Sequence, residues 1–167
     1  MKKVFLILML IGAIGTNVNA QNEYKYFLNL NAVKNDILGV SLNCPTPKTD
    51  TIEFQFPKIV PGTYAIYDFG RFVSDFTPTD AEGNRLLYRK IDDNRYEIFG
   101  ATKLANINYK LEDTFDTRKG NKIFEPAGTN FEAGENFVIN TFGFFGYLDG
   151  MKNMEFVIEI TKPSDFY

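Results

Sequence analysis

The chain contains no histidine and only one cysteine, Cys44, in 167 residues. The missing imidazole removes the usual general base near neutral pH and the commonest protein ligand for zinc. Neither a Ser-His-Asp nor a Cys-His arrangement can be assembled. One thiol without imidazole also leaves too few ligands for a structural or catalytic zinc site. An intramolecular disulfide is excluded even in an oxidising compartment, so stability has to come from the core, and aromatic residues at 16% of the chain supply it generously. Long basic runs are missing as well. With a formal charge of −3, the chain is a poor nucleic-acid binder and no such partner is expected.

What is present begins with the N-terminus. Lys2 and Lys3 precede the apolar run Val4 to Ile14, and Val18-Asn19-Ala20 supplies small residues near a cleavage point. The pattern is that of a cleavable signal peptide over residues 1–20, with the cut before Gln21. The apolar run is shorter than the roughly 20 residues that span a bilayer. Gln21 stands where a lipoprotein needs cysteine, which disfavours a lipid anchor. The expectation is export to a periplasmic or extracellular location, with residues 21–167 as a single β-domain that has no membrane span.

Period-two alternation dominates that domain, bounded by turn chemistry. Tyr26, Leu28 and Leu30 alternate with Phe27, Asn29 and Asn31, Lys34-Asn35-Asp36 offers a turn, and Leu38, Val40, Leu42 and Cys44 continue the pattern. The position of Cys44 marks it as a small buried hydrophobe. Ile52, Phe54 and Phe56 share a face, and Glu82-Gly83-Asn84 and Asp92-Asp93-Asn94 are hairpin signals. Tyr96 to Phe99, Ile107 to Leu111, Phe137 to Ile139, Phe142 to Leu148 and Met154 to Ile160 carry further strand-like texture. The pattern predicts an all-β fold: an antiparallel β-sandwich or curved sheet of about eight or nine short strands. Thr114 to Glu135 lacks sustained alternation and is expected to be a long loop, either functional or mobile.

Acid–base chemistry has little support. Asp92-Asp93 and Glu112-Asp113 are adjacent pairs, but neighbours on a strand point to opposite faces, and solvation at turns explains them. Asp113 to Gly120 lacks the alternating oxygen ligands of a calcium loop. No glycine cluster forms a phosphate-cradling fingerprint.

The informative block runs from Phe56 to Val73. Pro61-Gly62-Thr63-Tyr64 is followed by Asp68-Phe69, Arg71 and Val73. This resembles the N-terminal domain of the glycyl aminopeptidase family of zinc metallopeptidases, metallopeptidase family sixty-one, with its Pro-Gly-Ser/Thr-Tyr turn and Asp-Phe/Tyr-x-Arg-x-Val run. Asp80 to Gly83, Lys90 to Ile98, Asn140-Thr141-Phe142, Phe145 to Gly150 and Ile160 to Pro163 keep the family's order. The similarity spans about Tyr24 to Tyr167.

The resemblance implies a non-catalytic accessory domain. In the family, a separate domain with a His-Glu-x-x-His helix binds the zinc, often with a PDZ domain beyond it. Zinc is therefore expected only in that absent catalytic domain, with no cofactor in this chain. The expected partners are a peptidase catalytic domain, in cis or in trans, and a peptide substrate. The chain is read as truncated, excised or stand-alone.

The residues of the block support two readings. They form a rigid corner holding two sheets together, with a charge-assisted pair between Asp68 and Arg71. Alternatively Tyr64, Asp68 and Arg71 line a surface facing the peptidase domain near the substrate's amino end. Phe145, Tyr147 and Asp149 join them as candidates, because the aromatic and glycine-rich Phe142 to Tyr147 is either core or a docking patch. Two other classes remain. A surface or periplasmic β-sandwich module could bind peptides or glycans. A small outer-membrane barrel conflicts with the frequent charges on the strand faces and with Lys162-Pro163 after the last strand.

Overall fold

The computed structural model describes residues 22–166; the expected signal peptide, residues 1–20, with its expected cut before Gln21, and the terminal Tyr167 lie outside them. Eleven strands follow in chain order. The first six are β1 (Glu23–Asn29), β2 (Ile37–Asn43), β3 (Thr51–Gln55), β4 (Val73–Thr79), β5 (Tyr88–Lys90) and β6 (Arg95–Phe99). The rest are β7 (Asn106–Glu112), β8 (Asn130–Glu132), β9 (Asn136–Val138), β10 (Tyr147–Leu148) and β11 (Glu155–Thr161). A five-stranded sheet has the order β11-β1-β2-β7-β4, a four-stranded sheet the order β10-β3-β6-β5, and β8 and β9 form a short hairpin.

The expected alternation is what fills the core. Tyr24, Tyr26 and Leu28 on β1, Leu38, Val40 and Leu42 on β2, and Ile107, Tyr109 and Leu111 on β7 are buried. Phe54, Tyr96 and Ile98 face them from the four-stranded sheet. Rings from the two sheets meet edge to face, with Phe56 and Tyr109 at 5.2 Å, and stack, with Phe76 and Tyr96 at 4.0 Å. Each such ring contributes about 2–3 kcal/mol through burial, which is how a chain with one thiol holds together. Cys44 is itself buried, and burial pushes its thiol up, which makes it a poor nucleophile.

Four features differ from the sequence expectation. The strands pair antiparallel except for β1 and β11, which run parallel from Glu23 beside Glu155 to Asn29 beside Thr161. Alternation reports which face is apolar and not strand direction; a parallel pair needs a crossover, and here the whole intervening domain provides it. Glu82-Gly83-Asn84 does form a tight turn, with Gly83 at φ +84° and the Asp80 Oδ1 accepting from the amides of Glu82 and Asn84. Its arms pair as a short hairpin, with Thr79 beside Arg85 and the Leu86 amide donating to the Pro78 carbonyl, but the chain then passes from β4 in one sheet to β5 in the other. Thr114 to Glu135 is loop for most of its length but ends in β8. Finally, Phe142 to Leu148 is not one strand. It opens with a single helical turn, Thr141–Phe144, capped by the Asn140 side chain, and only then enters β10. Among the described residues, no helix is long and apolar enough to cross a membrane.

Candidate functional site

The segment between β3 and β4 is a corner built from its own backbone. Pro61 and Gly62 occupy the central positions of a turn in which the Thr63 amide donates to the Val60 carbonyl at 3.2 Å, with Gly62 at φ +89°. This is the geometry that proline then glycine favours. The Thr63 hydroxyl donates to the same carbonyl at 2.7 Å. Tyr64 follows at φ +56°, a left-handed conformation that is costly for a bulky residue. Its ring is fully exposed. The amides of Tyr67 and Asp68 both donate to the Lys58 carbonyl and close the loop beneath it.

Asp68 is a second non-glycine residue in the left-handed region, at φ +51°. It accepts from the Asn94 side-chain nitrogen at 2.7 Å, while the Asn94 Oδ1 accepts from the Gly70 amide at 3.0 Å. Asn94 is 2% exposed. A single carboxamide thus ties the corner to the β5–β6 turn. Gly70 has to be glycine, because a Cβ there would lie 2.1 Å from the Asp93 carbonyl oxygen.

Arg71 does not pair with Asp68; among the described residues their charged groups form no ion pair with each other. The left-handed backbone of Asp68 swings its carboxylate toward Asn94 and off the face of the 3₁₀ turn, Phe69–Phe72, that carries Arg71. The guanidinium instead donates through Nη2 to the Asn121 carbonyl, lies 4.8 Å from the centre of the Phe72 ring, and packs against Gly120. Arg71 therefore pins the long loop to the corner.

That loop is closed at its base. The Asp113 carboxylate accepts from the amides of Phe115 and Phe131, each at 2.9 Å, and Thr114 and Thr129 exchange hydrogen bonds. Asp113 is buried, which corrects its reading as a solvated turn residue. Burial raises its carboxyl above the usual range, and the two amides offset this only in part. Ile123 and Ala127 anchor the loop inward and Phe124 stays exposed. The result is an Ω-type loop fixed at base and middle. Between it and the corner runs an open groove of about 530 Å³, lined by Ala65, Tyr67, Ile123, Phe124 and Pro126 among others. Four large apolar side chains on these two loops, Ile59, Tyr64, Ile66 and Phe124, face outward.

The sequence candidates divide accordingly. Tyr64, Asp68 and Arg71 come together at the corner, the first presented and the other two holding it. Phe145 is 7% exposed and sits 4.6 Å from Tyr26, edge to face, so its ring is core and unavailable for docking. Tyr147 is half-buried and pairs with Gln55 in the sheet. Asp149 is exposed beside a different groove, with Thr46, Lys48 and Thr49. Asn94 and Asp113 are the residues sequence reasoning missed; an asparagine after two aspartates at a hairpin tip is ordinary turn chemistry and carries no signal of burial. Among the described residues, no group of carboxylates and thiols gathers as a metal site.

A family model described as the Peptidase M61 N-terminal domain matches residues 25–167. The chain belongs to this family. The matched span takes in every strand but the first residues of β1, and all of the corner. Comparison with curated proteins gives no match. Among solved structures, an aminopeptidase N family protein from Idiomarina loihiensis is similar at a TM-score of 0.61 and 16% identity, over 83% of this chain and 22% of that one. That likeness shows the shared fold, and this peptidase N-terminal domain spans less than a quarter of the neighbour's length.

Proposed function

We propose that this domain is the non-catalytic accessory part of an exported, aminopeptidase-like zinc metallopeptidase, which docks the peptidase domain and shapes the substrate side of its active site. The observation that carries the reading is Tyr64: a fully exposed ring held at positive φ on a corner that Asn94, Gly70 and Arg71 brace. Strain of about 1–3 kcal/mol at an exposed residue is kept where the presented side chain has work to do. On this reading residues 1–20 are a signal peptide, zinc belongs to the peptidase domain, and the two meet in cis or in trans.

The test has two arms. The purified chain alone should take up no zinc after dialysis and hydrolyse no glycyl or alanyl amide; turnover that survives chelation and repurification would overturn the non-catalytic assignment. Added to the peptidase domain, it should lower the KM for these amides, and Tyr64→Ala should remove that effect while leaving the fold intact. A KM indifferent to the domain defeats the shaping role.

A stand-alone module for peptides or glycans draws support from the outer face of the five-stranded sheet. There Gly39, with open space where a Cβ would project, leaves a groove of about 430 Å³ beside Phe27, Ser41, Asn108 and Lys110. Specific binding on a glycan array, lost in Gly39→Phe, would favour it.

A further inference from the structure

The five-stranded sheet has two edges of opposite character. At β4 the register breaks between Ser74 and Thr77, Asp75 sits at φ +53° and pairs with Lys110 at 2.8 Å, and Pro78 withholds a donor. A bulge, a proline and a paired charge are the ordinary means of blocking an edge against further pairing. β11 carries only the last of these, Glu159 being paired with Lys25 of β1. It runs seven residues without bulge or proline, and no strand among the described residues pairs with its outer side.

Its side chains are equally unprotected. The parallel register sets Phe156 beside Tyr24, Ile158 beside Tyr26 and Ile160 beside Leu28. Aligned neighbours in a sheet share a face, so this row lies on the core side. The three β1 residues are at most 2% exposed, yet Phe156, Ile158 and Ile160 are 36%, 38% and 48% exposed. The second sheet ends short of β11, and the apolar inner face runs on past its cover.

We propose that this uncovered row is the surface on which the peptidase domain docks, a deepening that rests on the accessory-domain reading above. Geometry selects this occupant over a second copy of the chain. Edge-to-edge pairing of two β11 strands would satisfy their backbones but join two exposed rows into one longer stripe. Only a body laid over the inner face covers the side chains. The matching family model describes the N-terminal domain of a peptidase, so a peptidase domain is the body that this family supplies to cover the row. The partner surface it fits is aliphatic or aromatic at its centre, matching Phe156, Ile158 and Ile160.

The probe is the peptidase domain of this family encoded in the same genome, purified as a separate chain. Two variants of the accessory domain are compared with the parent: Ile158→Ser/Ile160→Ser, checked for an unchanged circular dichroism spectrum, and Ile160→Cys carrying an environment-sensitive dye. Buried Cys44 leaves the introduced thiol as the reactive one. The double variant should bind about tenfold or more weakly, and the dye emission should shift to the blue on binding. Unchanged affinity and an unshifted dye, with binding lost instead in Tyr64→Ala, would overturn this surface and leave the accessory role standing. A self-dimer dispersed by the double variant would assign the row to a second copy and overturn the proposal. A parent domain that binds nothing and stays monomeric would overturn both readings.

Discussion

Two stretches mix glycine with aromatic residues, and they end in opposite states. The corner from Pro61 to Phe72 buries Tyr67, Phe69 and Phe72 but turns Tyr64 outward at φ +56°. The stretch from Phe142 to Leu148 buries Phe144, Phe145 and Leu148, and no residue in it has positive φ. Its glycines serve contact instead of conformation: Gly146 lies where a Cβ would be 2.4 Å from the Phe54 ring, and Gly143 lies against Phe69. Glycine beside an aromatic is thus no indicator of a presented ring. The difference lies in the backbone, which accepts strain at the corner and relaxes in the core.

Four experiments bear on that contrast. The largest effect belongs to Phe145→Ala, expected to cost about 3–5 kcal/mol in urea unfolding because it empties a packed site; a cost below about 1 kcal/mol would return Phe145 to the docking candidates.

Alkali should strike the same side of the molecule next. Tyr26 and Tyr109 donate to the carbonyls of Gly146 and Phe144, and burial holds both phenols well above their ordinary value of 10.0. Burial likewise raises Tyr24 to about 12. The folded chain therefore keeps protons that the unfolded chain releases near pH 10. Stability is intact below that pH and falls as pH rises toward the folded values, at about 1.4 kcal/mol per pH unit for each tyrosine. Urea midpoints at a series of pH values above 9 measure the slope, and a flat profile would contradict the burial of these hydroxyls.

Asn94→Ala comes third, at about 1–3 kcal/mol, since it strands the Gly70 amide and removes the donor to Asp68. Smallest are Tyr64→Ala and Tyr64→Gly, both within about 0.5 kcal/mol in thermal unfolding. In the glycine variant, relief of strain offsets the added freedom of the unfolded chain. A loss above about 2 kcal/mol for Tyr64→Ala would make that ring structural and erase the contrast.

The block from Pro61 to Phe72 folds as one corner, but its internal chemistry is not the expected ion pair. Asp68 and Arg71 are three residues apart, a spacing that invites an ion pair, and they reach instead for Asn94 and Asn121, 26 and 50 residues away. Asp113 shows the same limit. Beside Glu112 it reads as a solvated acid, yet it fastens both ends of a loop whose far end returns at Phe131. Such roles depend on which distant amide arrives at the carboxylate, and no local pattern records that.

Local alternation and turn chemistry determined that this chain forms half-buried strands and which face of each is apolar. Whether an apolar face is covered was decided only in three dimensions. Leu38, Val40 and Leu42 alternate just as Phe156, Ile158 and Ile160 do, but the first row lies under the second sheet and the other runs past its edge. Periodicity is a property of neighbouring residues, whereas cover is supplied by strands from far along the chain.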